Sequence, residues 1–511
     1  MPFRCPAAVV ALIALAVPGP GRPAAAAPPR PARPNILFII ADDQSPFDLA
    51  AYDPAAPMRT PVIDRLAAEG MVIDAAYHMG SFISAVCVPS RHMLMTGRTL
   101  WHLPITAFRP PDGQPPSVAD DPRCPADIAD STIPAVFNRA GYDTMRTCKA
   151  DNCYEAASRR FTVRHDATKR GGTPEGGSAW HADRVLEFLA DRERSGDRDP
   201  FFIYLGFSHP HDTRDGTPEL LARYGAANHA DSASLPPASD RQPPLPVNWL
   251  PAHPFPLNRT GRRDETQVSG VWERRDPATI RNEKGRECAC GENIDIQVGR
   301  VLDRLAALGE LENTWIFYTS DHGIAVGRHG LMGKQNLYEH SWRVPLIVKG
   351  PGVKPGSRAP GNVYLLDVLG TLCDIAGIEA PATNEGRSFL PVLEGRTATV
   401  RDVLYGVYCG DGAPGLRAVR RGDWKLVEIE MPHLGTRRTQ LFDLRDNPHE
   451  LLAAHDSPAV RAASGVAPTA TQHDLAADPR HAETLAAMRR LLWDEMRRHD
   501  DPDRFAEQPP P

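Results

Sequence analysis

Between Asn35 and Ala376 the apolar positions fall into two alternating patterns. Continuous apolar runs of strand length, rich in β-branched and aromatic residues, occur at Asn35–Ile40, Phe201–Phe207, Trp315–Thr319 and Val344–Val348. Such runs read as strands buried on both faces, the usual state of parallel ones. Shorter runs at Met71–Ile73 and Tyr142–Arg146 add two strands. Between them, spacings of three and four predict helices: one opened by Thr60-Pro61 and closed by Gly70, one from Ser131-Thr-Ile-Pro to Gly141, and others over Ala179–Arg192, Asn293–Leu308 and Tyr364–Ala376. Strand and helix in alternation predict an α/β fold, a large mainly parallel sheet sandwiched by helices. Ser208–Arg286 breaks the rhythm. Its Pro-rich centre, Leu235–Pro256, reads as a long loop near strand ends, where such loops shape clefts. After about Gly395 the pattern changes to short strands at Val403–Tyr408, Leu416–Arg420, Trp424–Ile429 and Gln440–Leu444, with a helix near Glu483–Arg498. This predicts a smaller C-terminal antiparallel sheet with one helix, and a division into residues 34–395 and 396–511.

Composition narrows the picture. A chain of 511 residues with 41% hydrophobic content builds a sizeable core, and a net charge of −6 with pI near 6.3 gives no footprint for nucleic acid. Arg4, the apolar run Ala7–Val17 and the alanines Ala24–Ala27 read as a secretory signal peptide over residues 1–27, which predicts export to the periplasm or medium. That run is too short for a permanent anchor, and no later stretch predicts a membrane span. Nine cysteines form an odd set: one or two disulfides are compatible with export, and Cys288-x-Cys290 lacks the second pair of a zinc site. Only seven of the 58 basic residues are lysines, so each lysine carries information.

The candidate chemistry sits at strand ends. Asp42-Asp43 follows the first long strand and Asp321-His322 the third, the ends at which open α/β sheets bind ligands. An Asp in a turn is commonly an Asx-turn residue; three at equivalent ends favour a divalent cation, Ca²⁺ or Mg²⁺ from oxygen-rich ligation, with one imidazole leaving its identity open. Cys87-x-Pro89-Ser90-Arg91 leads into a helical run ending in Thr96-Gly97-Arg98. A cysteine at a helix N-terminus is either a packed thiol or a reactive one.

The whole run Cys87–Arg98 resembles the signature of the sulfatases, members of the alkaline phosphatase superfamily. The resemblance extends from about Pro34 to Leu451 and includes Leu441-Phe-Asp-Leu444 and Asn447-Pro-His-Glu450. It implies that a formylglycine-generating enzyme oxidises Cys87 to formylglycine, and that Asp42, Asp43, Asp321, His322 and residue 87 hold Ca²⁺. His322 stands where many members have Asn, as in an iduronate-2-sulfatase-like and choline-sulfatase-like subset. Lys149 and Lys334 resemble the two sulfate-binding lysines, an ammonium being a compact charge for a sulfate oxygen. His211, in Ser208-His-Pro-His211, matches the histidine near the leaving-group oxygen, with His209 as the close alternative. The implied chemistry is attack on sulfur by a formylglycine diol hydroxyl activated by the metal and Arg91, protonation of the departing alcohol by His211, then elimination of sulfate. One position departs from the family: Asp151 stands where a histidine commonly follows the first lysine. A carboxylate there accepts a proton in the elimination but repels sulfate. The implied substrate is a sulfated saccharide or another sulfate ester; a phosphoester or phosphonate monoester hydrolase and a silent sulfate- or glycan-binding relative are the alternatives.

Overall fold

A computed structural model describes residues 1, 33–103, 125, 127–150, 154–169, 175–230, 235–257, 268, 270–410, 415–432 and 435–502. Beyond Met1, the signal peptide and its cleavage region lie outside the described residues, as does Asp151.

Eight strands form the large sheet, in the order Ser357–Ala359, Met71–Ile73, Leu346–Lys349, Thr314–Ser320, Asn35–Asp42, Phe201–Pro210, Asp143–Lys149, Val163–Ala167. Asn35–Asp42 is buried along its whole length and pairs in parallel with Thr314–Ser320 on one side and Phe201–Pro210 on the other. Asp143–Lys149 extends the parallel set beyond Phe201–Pro210. Helices Pro61–Glu69, Ser178–Ser195 and Pro277–Ala307 cover one face through Ile63, Val185, Val298 and Leu302. Helices Ile133–Arg139 and Asp367–Ala376 pack on the other through Val136, Phe137, Leu369 and Leu372. The sheet is therefore mainly parallel and helix-covered on both faces.

Two segments differ from the expected pattern. Val344–Val348 is split at Pro345: Arg343–Val344 joins a small separate sheet, and Leu346–Lys349 enters the large sheet antiparallel to Thr314–Ser320. Proline has no N–H for a ladder bond, which explains the break. The helix expected from Asn293 begins instead at Pro277, with Asp276 accepting from the Thr279 backbone N–H at 3.1 Å as its cap. Its first turns bury Glu283, Lys284, Arg286 and Glu287, so they carry no amphipathic signal.

The second sheet is the antiparallel meander Val403–Tyr408, Gly415–Arg421, Trp424–Met431, Thr436–Asp443, backed by helix Ala482–Arg498. It gains a fifth strand from far upstream, Gly80–Ser81, parallel to Val403–Tyr408. Gly80 is required there: its φ is +98°, and a Cβ would lie 1.7 Å from the Val407 carbonyl oxygen. Phe82, Val86, Met93 and Trp101, around the cysteine signature, share one apolar core with Leu426, Leu441 and Trp493. The meander thus buttresses the segment that presents Cys87.

Candidate active site

Four adjacent parallel strands, Thr314–Ser320, Asn35–Asp42, Phe201–Pro210 and Asp143–Lys149, end at the same edge of the sheet. Their last residues or the ones that follow are Asp321 and His322, Asp42 and Asp43, His211, and Lys149. Consecutive residues on a strand point to opposite faces. Asp43 escapes that rule by adopting φ +70°, a left-handed conformation that Asp tolerates better than most residues. Both carboxylates therefore reach one cluster.

Helix Cys87–Thr96 supplies the fifth component, with Cys87 as its first residue. Ser90 donates to the Asp321 carbonyl at 2.6 Å, and Arg91 Nε donates to the Asp321 carboxylate at 2.9 Å. Arg91 Nη1 donates to the Tyr204 hydroxyl at 2.8 Å and reaches Cys148 Sγ at 3.3 Å, while Nη2 stands 3.8 Å from Asp42. Arg91 thus organises carboxylates beneath the site. The trailing Thr96-Gly97-Arg98 is architectural: Gly97 caps the helix in the left-handed conformation, its carbonyl accepts from Glu385 N and Gly386 N, and Arg98 binds the His102 carbonyl. Lys334 arrives on a hairpin-like loop closed by backbone bonds from Ala325 to Gly333 and from Gly327 to Leu331.

At the centre, one side-chain atom each from Asp42, Asp43, Cys87 and His322 lie within 4.8 Å of one another. His322 Nε2 is 3.1 Å from Cys87 Sγ, 3.1 Å from Asp43 and 3.5 Å from Asp321 Oδ1. Its Nδ1 donates to the Gly323 carbonyl at 2.9 Å, which aims Nε2 inward. Asp321 is the outlying member, its second oxygen committed to Arg91. Lys334 Nζ lies 2.8 Å from both Asp43 oxygens and 3.4 Å from Cys87 Sγ; Lys149 Nζ lies 3.6 Å from Asp42. His211 Nε2 stands 3.9 Å from Asp43, and its Nδ1 is held by the Asp212 carbonyl at 2.8 Å and by the Asp212 carboxylate. All these groups are buried or nearly so.

The electrostatics follow from that crowding. Burial pushes the Cys87 thiol up, but Lys334 and His322 outweigh it and the net shift is downward. Burial alone lowers His322, yet Asp321 and Asp43 raise it to about 9. Burial, reinforced by Asp42, raises Asp321, whereas Lys149, His211 and Arg91 overcome burial to hold Asp42 well below the carboxylate range. The donor set, carboxylate oxygens with one imidazole around residue 87, fits a single hard divalent cation.

The expected residues Asp42, Asp43, Cys87, Arg91, Lys149, His211, Asp321, His322 and Lys334 are thus brought together. His209, the alternative to His211, is buried with no hydrogen bond to either ring nitrogen, and burial lowers it to about 4. Tyr204, Cys148 and Asp212 were not singled out in the sequence. Tyr204 read there as a core strand residue of Phe201–Phe207, and Cys148 only as one of the nine cysteines. The late segment Asn447–Glu450 proves to be a joint: Asn447 bonds both the amide and the carbonyl of Leu451, and Glu450 meets Lys425 at 2.7 Å. Among the described residues Cys87, Cys148, Cys288, Cys290, Cys373 and Cys409 are buried; Cys5, Cys124 and Cys153 lie outside them. Among the described residues no helix is long and apolar enough to cross a membrane.

A carboxylate–imidazole cluster beside Cys87, at the ends of a parallel sheet and flanked by Lys149 and Lys334, is the arrangement expected of a hydrolase of the alkaline phosphatase superfamily. The chain belongs to the sulfatase family: the Sulfatase model matches residues 34–378, and a second model, described as N-sulphoglucosamine sulphohydrolase, C-terminal, matches 327–465. It is a sulfuric ester hydrolase. It is similar to the Escherichia coli sulfatase YidJ, 27% identical and covering 92% of this chain and 89% of that one. An N-acetylglucosamine-6-O-sulfatase of Bacteroides thetaiotaomicron is 24% identical, covering 82% of each. The fold matches a structure solved in complex with D-glucosamine-2-N,6-O-disulfate, with a TM-score of 0.66, 21% identity, and 92% of this chain and 99% of that one covered. It also matches a phosphonate monoester hydrolase from Silicibacter pomeroyi, with a TM-score of 0.59 at 20% identity over 92% and 96%.

Proposed function

We propose that the chain hydrolyses a sulfate ester on a sulfated carbohydrate. The observation that carries this reading is that Lys334 reaches Cys87 and Lys149 and His211 reach Asp42 and Asp43, all around the cluster of Asp42, Asp43, Cys87 and His322 with Asp321 beside it. Asp42, Asp43, Asp321 and His322 with residue 87 would hold Ca²⁺ or Mg²⁺. When the cation is bound and Cys87 has been oxidised by a formylglycine-generating enzyme, the pair supplies an acidified hydroxyl as nucleophile. Lys149 and Lys334 take the sulfate oxygens, two point charges that favour an anion as its charge redistributes. Arg91 holds Asp321 and faces Asp42, fixing the carboxylates against movement. His211, with Nδ1 tied to Asp212, turns Nε2 toward the site and donates a proton to the departing alcohol oxygen. His322 supports membership of the iduronate-2-sulfatase-like and choline-sulfatase-like subset.

The test is a panel of defined sulfated glucosamine and uronic acid saccharides, with 4-nitrophenyl sulfate and a 4-nitrophenyl phosphonate monoester beside them. Release of sulfate from a saccharide, faster than any phosphonate cleavage, is expected. Preference for the phosphonate would favour the second reading, phosphonate monoester hydrolysis, which the likeness to such hydrolases supports. Peptide mass spectrometry is expected to find an aldehyde in place of the residue 87 thiol after co-expression with the modifying enzyme.

A further inference from the structure

The loop that carries His211 is held from outside by charged groups that the chemistry above does not use. Within the loop, Arg214 N donates to the His211 carbonyl at 3.1 Å, and Thr213 Oγ1 donates to Asp215 at 2.7 Å. Arg286 Nη2, from helix Pro277–Ala307, donates to the Thr213 carbonyl at 2.7 Å and to the other Asp215 oxygen at 3.2 Å. Arg286 Nη1 donates to Glu283 at 2.7 Å, and the second Glu283 oxygen lies 3.5 Å from Arg214. Arg286, Glu283 and Arg214 are fully buried, and Trp272 stacks against the Arg286 guanidinium at 5.3 Å.

Burying such groups is a poor way to gain stability, because apolar packing does as well without the desolvation cost. A planar guanidinium fork does fix geometry: its donors leave in set directions, so the atoms that accept them cannot drift independently. Here those atoms are Thr213 O and the Asp215 carboxylate, two and four residues beyond His211. His211 Nδ1 is itself tied to Asp212. Any shift of residues 212–215 therefore moves the Nε2 that faces the reaction.

We infer that Arg286 is a positioning residue for His211, acting through Thr213 and Asp215 to set the distance between Nε2 and the leaving-group oxygen. The inference rests on His211 being the proton donor proposed above. A positioned acid contributes about 10²–10⁴-fold, and most where the leaving group is poor.

The test is a series of sulfate esters from 4-nitrophenyl sulfate through phenyl sulfate to an alkyl sulfate, with kcat/KM measured for His211→Gln, Arg286→Gln, Arg286→Lys, Asp215→Asn and the His211/Arg286 double variant. Expected is a loss for Arg286→Gln that grows from a few-fold on 4-nitrophenyl sulfate to about 10²-fold on the alkyl ester. Arg286→Lys should recover part of it, Asp215→Asn should show the same trend more weakly, and the double variant should lose no more than His211→Gln. If His211→Gln shows the trend but Arg286→Gln loses all substrates equally, the positioning role is overturned and the proposed function stands. Should Arg286→Gln not fold, an equal loss across the series for the milder Asp215→Asn overturns it instead. A loss for His211→Gln that ignores the leaving group would show that the proton donor itself is misassigned.

Discussion

Two buried ionic clusters of the protein differ in how their charges meet, and only one has the geometry of a catalyst. At the joint between the sheets, Lys425 lies 2.9 Å from Glu339 and 2.7 Å from Glu450. Glu339 also accepts from the Tyr77 hydroxyl at 2.6 Å and meets Arg420 at 3.6 Å, while the second Glu450 oxygen takes the Glu339 backbone N–H at 2.6 Å. Its charges close on one another. In the active site Lys149 stops 3.6 Å short of Asp42, His211 3.9 Å short of Asp43, and Arg91 Nη2 3.8 Å short of Asp42. These charges pair too, Lys334 with Asp43 at 2.8 Å and Arg91 with Asp321 at 2.9 Å, but the pairs are gathered around residue 87, with Lys334 3.4 Å and His322 3.1 Å from its sulfur. Burial and perturbed ionisation are common to both clusters, so neither marks function by itself. Convergence on a shared space does.

The sharpest way to break the contrast is to remove the proposed nucleophile. Cys87→Ala is expected to lower kcat/KM by at least about 10³-fold while the melting temperature stays within a few degrees of the parent. Turnover within tenfold of the parent would place the nucleophile elsewhere. Removing the cation comes next: chelation should abolish turnover, Ca²⁺ or Mg²⁺ should restore it, and the melting temperature should rise with metal concentration, since a ligand that binds only the folded state stabilises it by mass action. Asp42→Asn should erase that dependence. A metal-dependent melting temperature that survives in Asp42→Asn would move the site.

Much of this was legible in the sequence because it rests on local rules. Asn35–Ile40 and Phe201–Phe207 declared buried parallel strands by unbroken apolar character, and their ends located Asp42, Asp43 and His211. Cys87–Arg98 located the proposed nucleophile through a motif. What stayed hidden depends on long-range pairing. Gly80–Ser81 is two residues long, and nothing local ties it to Val403–Tyr408. The first turns of Pro277–Ala307 look like surface because Glu283, Lys284, Arg286 and Glu287 are charged, yet all are buried against partners such as Asp48, which lies 2.7 Å from Lys284. Periodicity reads hydrophobic burial and is blind to burial by ion pairing. The same blindness hid the meaning of Asn447–Glu450, visible as a motif but not as a joint.

The joint should respond in the opposite sense to the active site. Lys425→Met leaves Glu339 and Glu450 buried together without their shared cation. Breaking such a pair costs about 3–5 kcal/mol. Denaturant unfolding should show that loss, while kcat per folded molecule changes little. A large fall in kcat with unchanged stability would erase the distinction between the clusters.

The finest test uses pH at Glu450. Burial, with Glu339 adding to it, raises Glu450 to about 7 despite Lys425; in the unfolded chain a glutamate titrates at about 4.3. The folded state therefore binds this proton more tightly than the unfolded state does. The stabilisation is fully present below the unfolded pKa and is lost as pH rises through the folded one, by about 1.4 kcal/mol for each unit separating the two. Glu339 runs the other way: Lys425 and Arg420 outweigh burial and lower it to about 2, so its contribution is fully present above the unfolded pKa of about 4.3 and is lost only as pH falls below that. Between about pH 6 and pH 8 only Glu450 of this pair changes its linkage. Glu450→Gln keeps the shape and removes the proton equilibrium, so the parent should lose stability relative to the variant across that interval. Chemical denaturation of both proteins at each end of the interval measures the difference directly. A parent that gains on the variant as pH rises would mean that Lys425 neutralises Glu450 more completely than Glu339, and the joint would then be a closed pair with a bystander, not a triad sharing one charge.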